Sequence, residues 1–180
     1  KKIVVDEEHE ILAHTIIIST GASAKWLGLE SEQKYNSKGV SACAVCDGFF
    51  FKGQDVAVVG GGDTAAEEST YLSKICSKVY LLVRRDEMRA SKIMQERVEK
   101  AENIQILWNH ETDEILGDGD SVNGMRVFNN KTGEKKEIAI GGFFVAIGHK
   151  PNTDIFKGQL DMDDTGYLKV VPGTSKTKIP

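Results

Sequence analysis

The sequence has no surplus of positive charge: 23 Lys and Arg stand against 27 Asp and Glu, a net charge of −4. No basic face of the kind nucleic acid requires is built up, so a nucleic-acid partner is not expected. Long apolar runs are lacking too. The longest, Thr15–Ile18 with its neighbours, falls far short of the roughly 20 residues that cross a bilayer, and no membrane partner is expected. No charged start leads into an apolar segment and a small-residue cleavage site, so no secretory signal is read. Cysteine is scarce: Cys43, Cys46 and Cys76 are the only three. An odd, low count excludes a structural disulfide framework and points to a reducing, cytoplasmic setting. His9, His14, His110 and His149 lie scattered without ligand spacing, and there is no second CxxC; no metal site is expected. The chain opens at Lys1 without Met and stops at Pro180 after a lysine-rich stretch, and both ends read as cuts in a longer protein.

What is present reads as α/β. Residues 3–5 and 11–18 are apolar runs expected as strands, the second ending in the turn Ser19-Thr20-Gly21-Ala22. Residues 23–42 show no clean period and read as a connection. From Asp55 the pattern sharpens. Residues 55–60 form a β-branched run bounded by glycine, as buried parallel strands are. Ala65, Ala66, Ser69, Leu72, Ile75 and Cys76 then recur at helical spacing over 63–76. Residues 79–83 predict a strand, 89–101 a helix and 104–108 a third strand. This β-α-β-α-β order is the doubly wound unit. Beyond it, strands are expected at 122–128 and 135–140 around the turn-rich NNKTGE, then a buried strand at 142–148. A small antiparallel meander should thus return the chain to the parallel sheet. His149 to Asn152 reads as a loop fixed by Pro151, and 153–180 are weakly patterned.

The run Gly60-Gly61-Gly62-Asp63-Thr64-Ala65 contains G-x-G-x-x-A between a strand and a helix. Gly60 permits the tight turn, Gly62 lets backbone approach a pyrophosphate, and Ala65 lets the helix sit close to the sheet. Free N–H groups at the helix start favour phosphate. The bland alternative is a tight βα turn. The end of the next strand selects the nucleotide. An acidic residue there would hold the ribose hydroxyls of NAD; this chain instead has Arg84 and Arg85, with Arg89 a turn later. Guanidinium forks suit a 2′-phosphate, hence NADPH. Against this stands a solvated basic strand end paired with Asp86 and Glu87.

Cys43-Ala44-Val45-Cys46-Asp47 is the second feature. Two cysteines at this spacing can close a small-ring disulfide, and such pairs tend to have a depressed thiol pKa that makes one sulfur an attacking thiolate. Asp47 could move a proton to or from the second sulfur. Half a zinc site or a pair of inert core cysteines are the other readings. Cys76, on the inner face of a helix, reads as a buried inert thiol. A hydride donor and a disulfide do not react readily, and a flavin commonly joins them.

SACAVCDGFFF, VAVVGGGDTAAEE, RRDEMRAS and FVAIGHKPNT, in this order, resemble the low-molecular-weight thioredoxin reductases, and the likeness runs along essentially the whole chain. The resemblance implies a homodimeric flavoenzyme that passes electrons from NADPH through FAD to Cys43–Cys46 and on to thioredoxin. Cys46 would face the flavin, Cys43 would attack thioredoxin, and Asp47 would be the acid–base residue. Gly60, Gly62, Asp63 and Thr64 match the pyrophosphate loop, with Ala65 behind it. Arg84, Arg85 and Arg89 match the 2′-phosphate site. Ile147, Gly148 and His149 match the strand end lining the NADPH site, and Thr20 and Gly21 a remnant of the FAD site. Val83 stands where the family often has His, and the opening FAD phosphate loop and closing G-D segment are absent. The implied organisation is a partial FAD-binding domain over 1–24, an NADPH-binding domain carrying the CxxC over 25–150, and a further part of the FAD domain over 151–180. The alternatives are a non-catalytic NADPH-binding module, or a related flavin disulfide reductase serving a peroxiredoxin or glutaredoxin-like partner.

Overall fold

In the computed structural model, which describes residues 1–179, two compact units form. One comprises Lys1–Ser23 with the segment from Lys150 onward; the other is Ala24–His149. The sequence-based boundaries fall one residue later at each crossing.

In the first unit, β1 (Lys2–Val5) and β2 (His9–Leu12) make an antiparallel hairpin with Lys2 opposite Leu12. Asp6 and Glu7 turn it in the left-handed region, at φ 51° and 61°. The strand expected over 11–18 ends at Leu12. Ala13 still donates its N–H to Lys1 O, but β1 reaches no further, and a run of isoleucines without a partner strand has no ladder to join. Leu12 and Ile17 are accordingly 81% and 91% exposed. The unit also holds a 3₁₀ turn at Asp154–Phe156 and a bridge between Met162 and Leu168. Short β3 (Ala22–Ala24) pairs with a strand at His149–Pro151.

The second unit begins with α1 (Glu30–Lys34), β4 (Val40–Ser41) and α2 (Ala44–Asp47), the last running into a 3₁₀ turn at Gly48–Phe51. Then follow β5 (Asp55–Val59), α3 (Asp63–Leu72), β6 (Lys78–Val83), α4 (Lys92–Glu99) and β7 (Ile104–Trp108). An antiparallel meander comes next: β8 (His110–Gly117), β9 (Val122–Asn129) and β10 (Lys135–Ala139). The chain returns through β11 (Gly142–Val145) before the short β12, His149–Pro151. Strands β4-β11-β5-β6-β7 form one parallel sheet in that order.

Alternation along the central strands sorts the core into two faces. Val56, Val58, Val79, Leu81 and Phe144 meet Ala65, Ala66, Leu72 and Val98 of α3 and α4. Ala57, Val59, Leu82, Phe143 and Val145 meet Ile115, Met125 and Val127 of the meander. Most of these residues are less than a tenth exposed, and each fully buried Val, Leu or Phe contributes about 1.5–3 kcal/mol by leaving water. The fold is therefore α/β as read, with the meander covering the face that a second layer of helices would otherwise cover. Two expected helices are shorter than their periodicity. After Leu72 the chain tightens, Lys74 and Ile75 donating to the carbonyls three residues back, yet Cys76 still turns inward, 6% exposed. Residues 89–91 stay outside α4 because Arg89 and Ala90 donate their N–H groups to Gly61 O instead.

Candidate nucleotide and dithiol sites

Parallel strands that diverge from a central one leave a crevice at their carboxyl ends, where ligands of such sheets bind. Here β5 is flanked by β6 on one side and β11 on the other, and a cavity of about 610 Å³ opens at their ends. It is walled by Gly60, Gly62 and Thr64 from the glycine turn, by Arg84, Arg85 and Arg89, and by Ile147 and Gly148 after β11. The turn demands its glycine at Gly60. That residue has φ +151°, and a Cβ there would lie 2.3 Å from Ala146 O and 2.8 Å from Ala65 Cβ. Ala65 is wholly buried beneath it. A Cβ on Gly62 would meet nothing within 4 Å, so backbone is bare to the cavity. Gly62 caps α3 without a side-chain hydrogen bond, leaving the helix-start N–H groups for a ligand.

The arginines are held by their backbone and free at their tips. Arg85 O accepts from Asn109 N–H, and Arg84 O accepts from the Asn130 side chain, which also reaches Glu111. Arg89 N–H donates to Gly61 O at 2.6 Å. All three side chains are exposed. Among the described residues none of them has a carboxylate within ion-pair distance; the pairing with Asp86 and Glu87 is not formed. Asp63 does not line the cavity. Its Oδ1 accepts from Ser91 N–H at 2.7 Å and Ser91 Oγ at 2.9 Å, which fastens the arginine-bearing bend to the glycine turn. His149 lies beyond the lining, exposed. In the other unit, Thr20 and Gly21 are exposed, and their carbonyls accept from the Asn152 side chain and backbone. Sequence reasoning missed Leu27, Leu29, His110, Glu111, Thr112 and Phe128 in the cavity wall. Thr112 Oγ1 is buried there with no hydrogen-bond partner among the described residues.

The dithiol belongs to the same unit and falls in the chain between Leu29 and the glycine turn. Cys43 and Cys46 are joined as a disulfide, Cα–Cα 5.3 Å, and no cluster of metal-ligating side chains occurs among the described residues. Cys43 is half-buried at the N-cap of α2 and its sulfur accepts from Cys46 N–H at 3.2 Å; Cys46 is exposed. Ser41, which the sequence did not single out, ties the motif together. Its hydroxyl accepts from Cys43 N–H at 3.0 Å and donates to Asp47 Oδ2 at 2.6 Å. From α3, Glu68 Oε1 accepts from Ala44 N–H at 3.5 Å. Burial pushes the Glu68 carboxyl up to about 7; the Ala44 N–H opposes the shift and the Glu67 charge adds to it. The Cys76 thiol is pushed up to about 11 by burial and then by Asp55, which leaves it a poor nucleophile at neutral pH.

A glycine turn facing unpaired guanidinium groups and a disulfide closed within CxxC stand in one unit, a combination found where a nucleotide is paired with sulfur chemistry. The chain belongs to the pyridine nucleotide-disulphide oxidoreductase family, whose profile matches residues 1–180. It is 51% identical over 177 residues to a mitochondrial thioredoxin reductase of Kluyveromyces lactis, covering 97% of this chain and 50% of that protein. It is 48% identical over 180 residues to the thioredoxin reductase of Rickettsia conorii, covering 99% and 58%. Among solved structures, thioredoxin reductase from Giardia duodenalis superposes with a TM-score of 0.86 at 45% identity, covering 99% of this chain and 59% of that one. The Lactococcus lactis enzyme gives 0.85 at 38%, covering 99% and 58%. The chain spans about half to three-fifths of the length of the relatives it matches.

Proposed function

We propose that the chain carries the NADPH cradle and the redox-active dithiol of a disulfide reductase whose partner is thioredoxin. The observation that carries the reading is the cavity lined at once by Gly60, Gly62 and Thr64 and by Arg84, Arg85 and Arg89. Bare backbone at Gly62 and the helix start suit a pyrophosphate. Unpaired guanidinium groups suit a 2′-phosphate. Ile147 and Gly148 supply wall without charge. Bound there, NADPH would supply a hydride, two electrons at once.

At the dithiol the chain's own groups have separable tasks. Cys43 and Cys46 hold the disulfide that opens and closes by exchange. Asp47, oriented by Ser41, is placed next to Cys46 in sequence to give or take a proton. Cys76 stays outside this chemistry. Thr20 and Gly21, both exposed and with carbonyls that accept from Asn152, are in this reading a remnant of the FAD site. In this reading residues 25–150 are the NADPH-binding part and 1–24 and 151–180 are parts of an FAD-binding one, in a homodimeric and cytoplasmic protein. No helix among the described residues is long and apolar enough to cross a membrane.

The test is a fluorescence titration of the chain with NADPH and with NADH. NADPH should bind more tightly, and Arg84→Ala with Arg85→Ala should erase roughly one to two decades of that preference, about 1.4 kcal/mol per decade. Equal affinity for the two nucleotides in the unaltered chain would overturn the reading. A pure binding module would show the same preference but no dithiol exchange with thioredoxin.

A further inference from the structure

We infer that Glu68 is a positioning residue for the dithiol: its carboxyl group, seated against the backbone immediately after Cys43, sets how readily a thiolate forms at that sulfur. The inference rests on the reading of Cys43–Cys46 as a redox pair.

The geometry is local and closed. Glu68 lies on the helix that packs against α2. Its Oε1 takes the N–H of Ala44, the fully buried residue between Cys43 and Val45. Its Oε2 is also buried and has no hydrogen-bond partner among the described residues. A buried carboxyl oxygen left unsatisfied carries a cost, so such groups call for a purpose. Asp47, the other carboxylate of the motif, has its Oδ2 engaged by Ser41. From α2, the group that meets Glu68 is the Ala44 N–H; Cys43 shares that peptide unit, and Cys46 and Asp47 follow in the chain. On α3 the charged neighbour is Glu67; α4, β5 and β6, which also pack on α3, contribute no charge to its shift.

In the disulfide, the sulfurs carry no charge and Glu68 has nothing to oppose. In the dithiol, a thiolate at Cys43 and a carboxylate at Glu68 would be like charges at the two sides of the Cys43–Ala44 peptide, and each would disfavour the other's ionisation. The two groups then titrate as a pair. Its raised pKa, about 7, puts the Glu68 proton in the range where the pair works. With the proton on, the Cys43 thiolate is tolerated; with it off, the thiol holds its own proton more firmly. Glu68 thus acts on Cys43 through proton occupancy rather than through contact with a substrate.

The experiment reduces the full chain with a phosphine, removes the reductant, and measures iodoacetamide alkylation from pH 5.5 to 9.5. Mass spectrometry reads Cys43, Cys46 and Cys76 separately. In the unaltered chain the Cys43 rate should depart from a single-proton curve, with a second inflection near pH 7. In Glu68→Gln, which keeps the acceptor for Ala44 N–H but not the charge, Cys43 should follow one proton with its pKa lowered by about half to one unit. At pH 7.5 that makes alkylation roughly three- to fivefold faster. Superimposable Cys43 profiles in the two proteins would overturn the inference, and so would an equal shift at all three cysteines, which reports loosening of the fold. Because no nucleotide is present, failure here leaves the NADPH titration untouched. Failure of the phosphine to yield two reactive thiols would instead overturn the redox reading and this inference with it.

Discussion

The nucleotide cavity and the dithiol corner belong to the same unit but are built on opposite plans. At the strand ends the polar groups are left open: bare helix-start N–H groups at Gly62, and guanidinium groups without carboxylates among the described residues. Around Cys43–Cys46 most polar groups answer one another, Ser41 with Asp47 and with the Cys43 N–H, Glu68 Oε1 with Ala44, while Glu68 Oε2 is left without a partner among the described residues. A surface that must hold an anion keeps its donors free. A centre that must make and break a covalent bond without drifting keeps its groups tied.

The contrast can be broken at three places. The largest effect is expected from Gly60→Val. The left-handed φ and the 2.3 Å approach to Ala146 O leave no room, and the change should cost about 3 kcal/mol or more and abolish nucleotide binding. Urea unfolding and nucleotide titration measure both; retained binding would show that the turn is not the cradle. Next comes Glu68. Its carboxyl is raised in the native state, so the folded chain holds a proton that the unfolded chain gives up between about pH 4.5 and about pH 7. Stability therefore falls as pH rises through that window. Glu68→Gln should gain on the unaltered chain by about 1–2 kcal/mol between pH 5 and pH 8, after allowance for solvent screening, as read from urea midpoints at the two pH values. Parallel pH profiles would place the Glu68 carboxyl in water. The smallest effect is Ser41→Ala, which strips a partner from the Cys43 N–H and from Asp47. About 1 kcal/mol of stability should go, seen in the same unfolding experiment. No loss would mean that the dithiol corner is less tied than its hydrogen bonds indicate.

The parallel core was legible because buried strands write themselves as apolar runs: DVAVV, KVYLLV and IQILW each fall within a residue of their expected bounds. β8 was not legible. Its HETDEILG is charged, mostly half-exposed and broken by a register shift between Thr112 and Glu114, so no period of two survives. Residues 13–18 erred the other way, since apolar residues announce a strand but cannot announce its partner. At the sites, the glycine turn, the arginines and the CxxC are contiguous in sequence and carry their chemistry on their face. Ser41 next to the CxxC, Glu68 from α3 and Thr112 from the meander matter only through packing, and nothing in their own neighbourhood marks them.

One fastening noted above reaches further than its size. Gly61 O grips Arg89 and Ala90, and the Asp63 carboxylate grips Ser91, so the bend and the turn travel as a single jaw. Discrimination between a phosphorylated and a bare ribose would then depend on an acid that touches neither. Exchanging Asp63 for Ala would slacken the jaw and blur nucleotide choice, while every arginine stayed in place in the sequence.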